Sequence, residues 1–71
     1  MIYKPERLIY NFDHGAYAVD VWHADGMWQA TATQVDAAST FVYFHYDESQ
    51  GREAVIQRAI TGVKEYNEEH N

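Results

Sequence analysis

The chain has 71 residues, one proline, four glycines and no cysteine, and its 11 acidic against 5 basic side chains give a net charge of -6. That length bounds it to a single small domain, which buries only about 60% of its unfolded surface and so depends on one compact core or on a partner. Without cysteine there is no disulfide framework, no thiolate metal cluster and no cysteine nucleophile. Hydrophobic residues at 46% and aromatics at 15% nonetheless place the composition far from the disordered regime.

The start, Met1-Ile2-Tyr3-Lys4-Pro5-Glu6-Arg7, lacks the apolar run of a signal peptide, and no stretch approaches the roughly 18 apolar residues a bilayer span needs. A cytoplasmic protein without membrane association is expected. The acidic balance repels phosphate backbones and anionic lipid surfaces, which argues against a nucleic-acid partner and for a protein one. A charge of this size also serves simply to keep a small domain soluble.

Two glycine-containing breaks, Asp13-His14-Gly15 and Ala24-Asp25-Gly26, interrupt segments rich in β-branched and aromatic residues and signal two hairpins. Asp25-Gly26 suits a two-residue type I′ loop, which needs positive φ at both positions. It predicts Ala24 opposite Met27, Trp22 opposite Gln29, Val21 opposite Ala30, Asp20 opposite Thr31 and Val19 opposite Ala32. Tyr17, Val19, Val21, Ala30 and Ala32 then share the core face, while Asp20, Trp22, Gln29 and Thr31 share the other. For the first hairpin, a two-residue His14-Gly15 loop puts Leu8, Tyr10 and Phe12 on the core face, opposite Val21, Val19 and Tyr17. Arg7, Ile9 and Asn11 are left outside, with Arg7 opposite Trp22 and placed for a cation–π contact.

Residues 34–39 have no clear period and read as a loop. Thr40–Tyr46 then forms a fourth strand, dense in β-branched and aromatic residues but not alternating. One of its faces holds Phe41, Tyr43 and His45 and the other Val42, Phe44 and Tyr46, so large aromatics are presented whichever face meets the core. A one-sided antiparallel sheet would instead show polar residues outward.

The C-terminal third predicts one amphipathic helix. Val55, Ile56, Ala59, Ile60, Val63 and Tyr66 recur at three- and four-residue steps, and Gln57, Arg58, Thr61, Lys64, Glu65 and Glu68 fill the opposite face. Asp47 or Ser49 is expected to cap its start, Asp47 with Gln50 having capping-box spacing, and Glu53 suits the positive end of the dipole. Gly62 lies on the apolar stripe and is expected to let the helix approach Ala30 and Ala32 closely. The polar end from Glu65 to Asn71 is expected to fray. The fold class is therefore α+β: a four-stranded antiparallel β-meander and one helix on one sheet face, residues 1–71 forming a single two-layer domain.

For function, the informative feature is the outer sheet face, with Arg7, Ile9, Trp22, Gln29 and Thr31 plus the fourth-strand aromatics, for which Tyr43 is taken as the contributor. Aromatics and arginine on an exposed patch of so small a domain mark an interface. A non-enzymatic homodimer or protein-binding domain is the leading expectation; the alternative covering is Met1–Tyr3 folding back over the face. No catalytic triad or nucleophile elbow surrounds Ser39 or Ser49. A single helix layer leaves little room for a ligand pocket. His14, His23, His45 and His70 show no close pair of the kind zinc sites use. No catalytic, cofactor or metal-binding residue is assigned. A second reading takes the acids as mimics of nucleic acid, in a small inhibitor or antitoxin-like protein occupying a basic groove. In layout, four strands and a helix resemble the half-units of PUR-type and Whirly-type single-strand-binding domains. That resemblance implies base stacking by Trp22, Arg7 and the fourth-strand aromatics, although the face lacks lysine and carries Asp20.

Overall fold

The computed structural model describes residues 4–70, so Asn71 and the expected covering segment Met1–Tyr3 lie outside the described residues. Strands β1 (Glu6–Phe12), β2 (Gly15–Ala24), β3 (Met27–Gln34) and β4 (Val42–Asp47) form one antiparallel sheet in the order β1-β2-β3-β4, and helix α1 (Arg52–Glu69) follows. The helix lays Val55, Ile56, Ala59, Ile60 and Val63 on Tyr17, Val19, Val21, Ala30 and Ala32, all buried, with Leu8, Tyr10, Trp28, Phe41 and Tyr43 packed around them. The α+β meander-plus-helix architecture is thus the one the apolar periodicities predict.

The second hairpin has the predicted register throughout, from Ala24↔Met27 to Val19↔Ala32. Its turn residues Asp25 and Gly26 have φ of 55° and 75°, and Asp25 is the one non-glycine residue with positive φ among the described residues. This is the type I′ geometry that Asp-Gly favours.

The first hairpin differs by two residues. Its loop is Asp13-His14 and Gly15 is already in β2, so Phe12 faces Gly15, Tyr10 faces Tyr17, Leu8 faces Val19 and Arg7 faces Asp20. A shift of two keeps every side chain on its predicted face. Gly15 explains it: at φ 151° it adopts a conformation closed to other residues, and a Cβ there would lie 2.4 Å from Gln34 Nε2. With glycine inside the ladder rather than in the turn, Ala16 comes beside the β3 exit, where its carbonyl accepts from Val35 N at 2.9 Å. Its amide donates to Asp36 Oδ1 at 3.1 Å.

The fourth strand begins at Val42 rather than Thr40 and turns Phe41, Tyr43 and His45 toward the helix side. The helix is not capped by Asp47 or Ser49. Its N-cap is Gly51, without a side-chain hydrogen bond, and Asp47 instead accepts from Ser49 N at 2.7 Å and Ser49 Oγ at 2.6 Å in the connecting turn. The atoms nearest to Gly62 across the interface are those of the Tyr43 ring, while Ala30 and Ala32 lie buried in the core under the helix. The polar end from Glu65, expected to fray, is helical as far as Glu69. The helix runs that far because Tyr66 stacks on Phe41 with centroids 3.7 Å apart, and Asn67, which is buried, donates to Gln34 Oε1 at 2.8 Å.

Candidate functional site

With odd-numbered β2 residues under the helix, the opposite sheet face is built from the alternate residues of each strand. Three cross-strand rows follow from the pairing: Trp22, Gln29, Tyr46; then Arg7, Asp20, Thr31, Phe44; then Ile9, Ala18, Thr33, Val42. Arg7, Ile9, Trp22, Gln29 and Thr31 are brought together as predicted. Tyr43 is not among them. It lies on the helix face, where its ring fills the space left by Gly62, because β4 turns its odd residues inward. Val42, Phe44 and Tyr46 take its place on the open face, and composition alone had no means of choosing between the two sets.

Ile9, Val42, Phe44 and Tyr46 are each about half exposed, at 58%, 54%, 48% and 58%. Trp22 stacks parallel to Phe44 at 6.0 Å, and Phe44 meets Tyr46 at 5.4 Å, so three rings form a continuous ridge along one side. Arg7 stands opposite Asp20 rather than Trp22. Its Nε and Nη2 donate to Asp20 Oδ1 and Oδ2, both at 2.9 Å, in a bidentate pair that the two-residue register shift creates. The same hydrogen bonds hold the Asp20 carboxyl below its ordinary range and raise the guanidinium above its own. Among the described residues, Arg7 and Asp20 are the charged side chains of these rows, and they cancel. The remaining acids are dispersed over turns, one strand end and the helix: Asp13, Asp25, Asp36 and Glu48 between elements, Asp47 at the end of β4, and Glu53, Glu65, Glu68 and Glu69 along α1. Glu6 pairs with Arg52.

A second feature lies at the far end of the sandwich. A cavity of about 240 Å³ is lined by His14, Tyr17, Gln34, Lys64, Asn67 and Glu68, below the roughly 300 Å³ at which small-molecule pockets begin. The Tyr17 hydroxyl hydrogen-bonds His14 Nδ1 at 2.9 Å, and burial pushes its pKa up. Lys64 pairs with Glu68. Asn67 and Gln34, polar residues on otherwise solvated stretches of sequence, gave no signal of this junction. Among the described residues no three histidine or carboxylate side chains converge as metal ligands. His23 packs edge-on to Trp28 and His45 bonds Gln50 Oε1 at 2.9 Å, with β3 between them. No helix among the described residues is long and apolar enough to cross a membrane.

Asp36 fastens the first hairpin to the end of β3, and its pKa is lowered first by the Ala16 amide and then by Gln34. Hydrogen bonds from Ser49 lower that of Asp47. For a depressed carboxylate, stability is present above the unfolded value of about 3.9 and is lost as pH falls through the folded value. The thermal midpoint is therefore expected to drop below about pH 4, and less steeply in Asp36→Asn. Melting curves between neutral and acidic pH check this; an identical acid limb in the variant would contradict it.

Compared with known proteins, the chain matches no family model, no curated protein and no solved structure.

Proposed function

We propose that this chain is a non-enzymatic interaction domain that self-associates through its open sheet face, the occupant of that face being a second copy. The observation that carries the reading is a face whose one charged pair cancels, beside half-exposed Ile9, Val42, Phe44 and Tyr46. On a chain of net charge -6, this is a surface two copies can share without like-charge repulsion. Strand spacing and rise give it a footprint of roughly 400 Å² per copy, about 800 Å² in total and below the roughly 1,200 Å² of stable specific interfaces, which suits a weak, reversible complex.

The ridge of Trp22, Phe44 and Tyr46 also suits base stacking, but a stacking platform needs cations along the backbone path. Arg7 is already engaged by Asp20. The dispersal of the acids gives no support to nucleic-acid mimicry.

Sedimentation and light scattering on wild type and Trp22→Ala test the reading. Wild type is expected to associate at tens of micromolar and Trp22→Ala to weaken that association by roughly tenfold or more, as for a central aromatic anchor. A wild-type chain that stays monomeric there overturns it, and a gel shift with single-stranded DNA at low salt would favour the stacking role instead.

A further inference from the structure

The outer edge of β4 is a surface distinct from the open face. The phase of the hydrogen-bond ladder follows from one bond. Val35 N donates to Ala16 O, so Ala16 and Val35 are a hydrogen-bonded pair, and in an antiparallel ladder such pairs recur at every second residue. Ala18↔Thr33, Asp20↔Thr31, Trp22↔Gln29 and Ala24↔Met27 belong to the same set, as the closing pair of a two-residue turn should. The backbones of Ala30 and Ala32 then face β4, where they meet His45 and Tyr43. By alternation, the N–H and C=O groups of Val42, Phe44 and Tyr46 face outward. Among the described residues no strand pairs with that edge.

An unpaired edge is normally guarded by charge, proline or a bulge. The β1 edge has Pro5, Glu6 and Arg7, whereas β4 has no lysine, arginine, proline or glycine, and its one carboxylate, Asp47, closes the strand and is held by Ser49. The register is unbroken, so no bulge twists the edge away.

We infer that two copies pair antiparallel through β4 about a twofold axis at Phe44, giving one eight-stranded sheet. Parity and bonding select that register. A twofold axis normal to the sheet pairs residues of the same face, so it must pass beside a residue and not between two. Centred on Phe44, it pairs Phe44 with its own copy and Val42 with Tyr46 in both directions, so all three outward residues of each chain exchange two bonds. Centred on His45, Val42 would fall opposite Glu48, which lies beyond the strand. Helix α1 lies chiefly over β3, then β4, which puts the two helix axes roughly 12–14 Å apart, beyond the 8–10 Å of packed helices and free of clash. On the open face the two ridges would meet at Phe44.

Amide hydrogen exchange, read residue by residue at rising protein concentration, is the direct test. The amides of Tyr43 and His45 are protected at any concentration by β3. Those of Val42, Phe44 and Tyr46 are expected to slow by tenfold or more as the chain associates. A paired variant separates edge from face: Phe44→Ala removes the ring and keeps the N–H, whereas Phe44→Pro also removes the outward donor without touching the β3 ladder. Pairing through the edge is expected to survive Trp22→Ala and Phe44→Ala and to be lost in Phe44→Pro, with circular dichroism confirming the fold of each. Unprotected Val42, Phe44 and Tyr46 amides in an associated sample, or a Phe44→Pro variant that associates like Phe44→Ala, would overturn the edge and leave the face reading standing.

Discussion

Ile56→Ala is expected to lower the unfolding free energy by about 2–5 kcal/mol, the range for emptying a fully buried aliphatic site. Ile56 is among the largest wholly inaccessible side chains, and it packs between the helix and a sheet face that offers Ala30 and Ala32. Those alanines have no side-chain freedom with which to fill a void, and the sheet backbone beneath them is fixed by ladders on both sides. The site therefore collapses poorly, which favours the upper part of the range. Alanine's better helix propensity returns up to about 0.7 kcal/mol. A domain of this length has of order 4–10 kcal/mol in total, so the variant stands near its unfolding threshold. Urea denaturation followed by circular dichroism measures the loss; a change under about 1 kcal/mol would mean that helix and sheet are not packed through Ile56.

The positions that sequence reasoning placed correctly are those where one local rule acts without competition. Asp25-Gly26 dictates a type I′ turn, the turn dictates the register of β2 and β3, and the register dictates the core face. The helix stripe at Val55, Ile56, Ala59, Ile60 and Val63 is equally direct. The errors arose where two local solutions were nearly equal and a distant contact decided. Asp13-His14 and His14-Gly15 are both two-residue loops. The choice rests on Gly15 fitting beside Gln34 and on Arg7 meeting Asp20, contacts 19 and 13 positions apart in the chain. In β4 both faces are aromatic, and the inward set was fixed by a helix glycine. The open face therefore holds Val42, Phe44 and Tyr46 beside Arg7, Ile9, Trp22, Gln29 and Thr31, and Tyr43 lies on the helix side. Asn67 and Tyr66 extended the helix past a polar run that local propensity would have let fray, because Gln34 and Phe41 wait for them on the sheet side.

The contact between Gly62 and Tyr43 makes a prediction whose sign changes with background. On helix propensity alone, Gly62→Ala stabilises by about 0.8–1.0 kcal/mol. A Cβ at Gly62 would lie 2.5 Å from Cε1 and Cζ of Tyr43 and 2.6 Å from Cδ1, against an optimal separation of about 3.5–4.0 Å. The ring must move by about 1 Å, and Phe41, tilted against it at 6.5 Å, stands to one side. Overpacking of this kind costs about 1–3 kcal/mol, so the net effect in the wild-type background is expected to be destabilising. Replacing the ring with a shorter side chain in Tyr43→Leu costs stability by itself, but it opens the space beneath residue 62. In that background Gly62→Ala is expected to stabilise by about 1 kcal/mol, so the two substitutions are coupled by about 1–3 kcal/mol. A double-mutant cycle by urea denaturation measures that coupling. If Gly62→Ala stabilises the wild-type chain as much as the Tyr43→Leu chain, the ring is not seated under the glycine. The inward orientation of β4, and with it the exposure of Val42, Phe44 and Tyr46, would then be wrong.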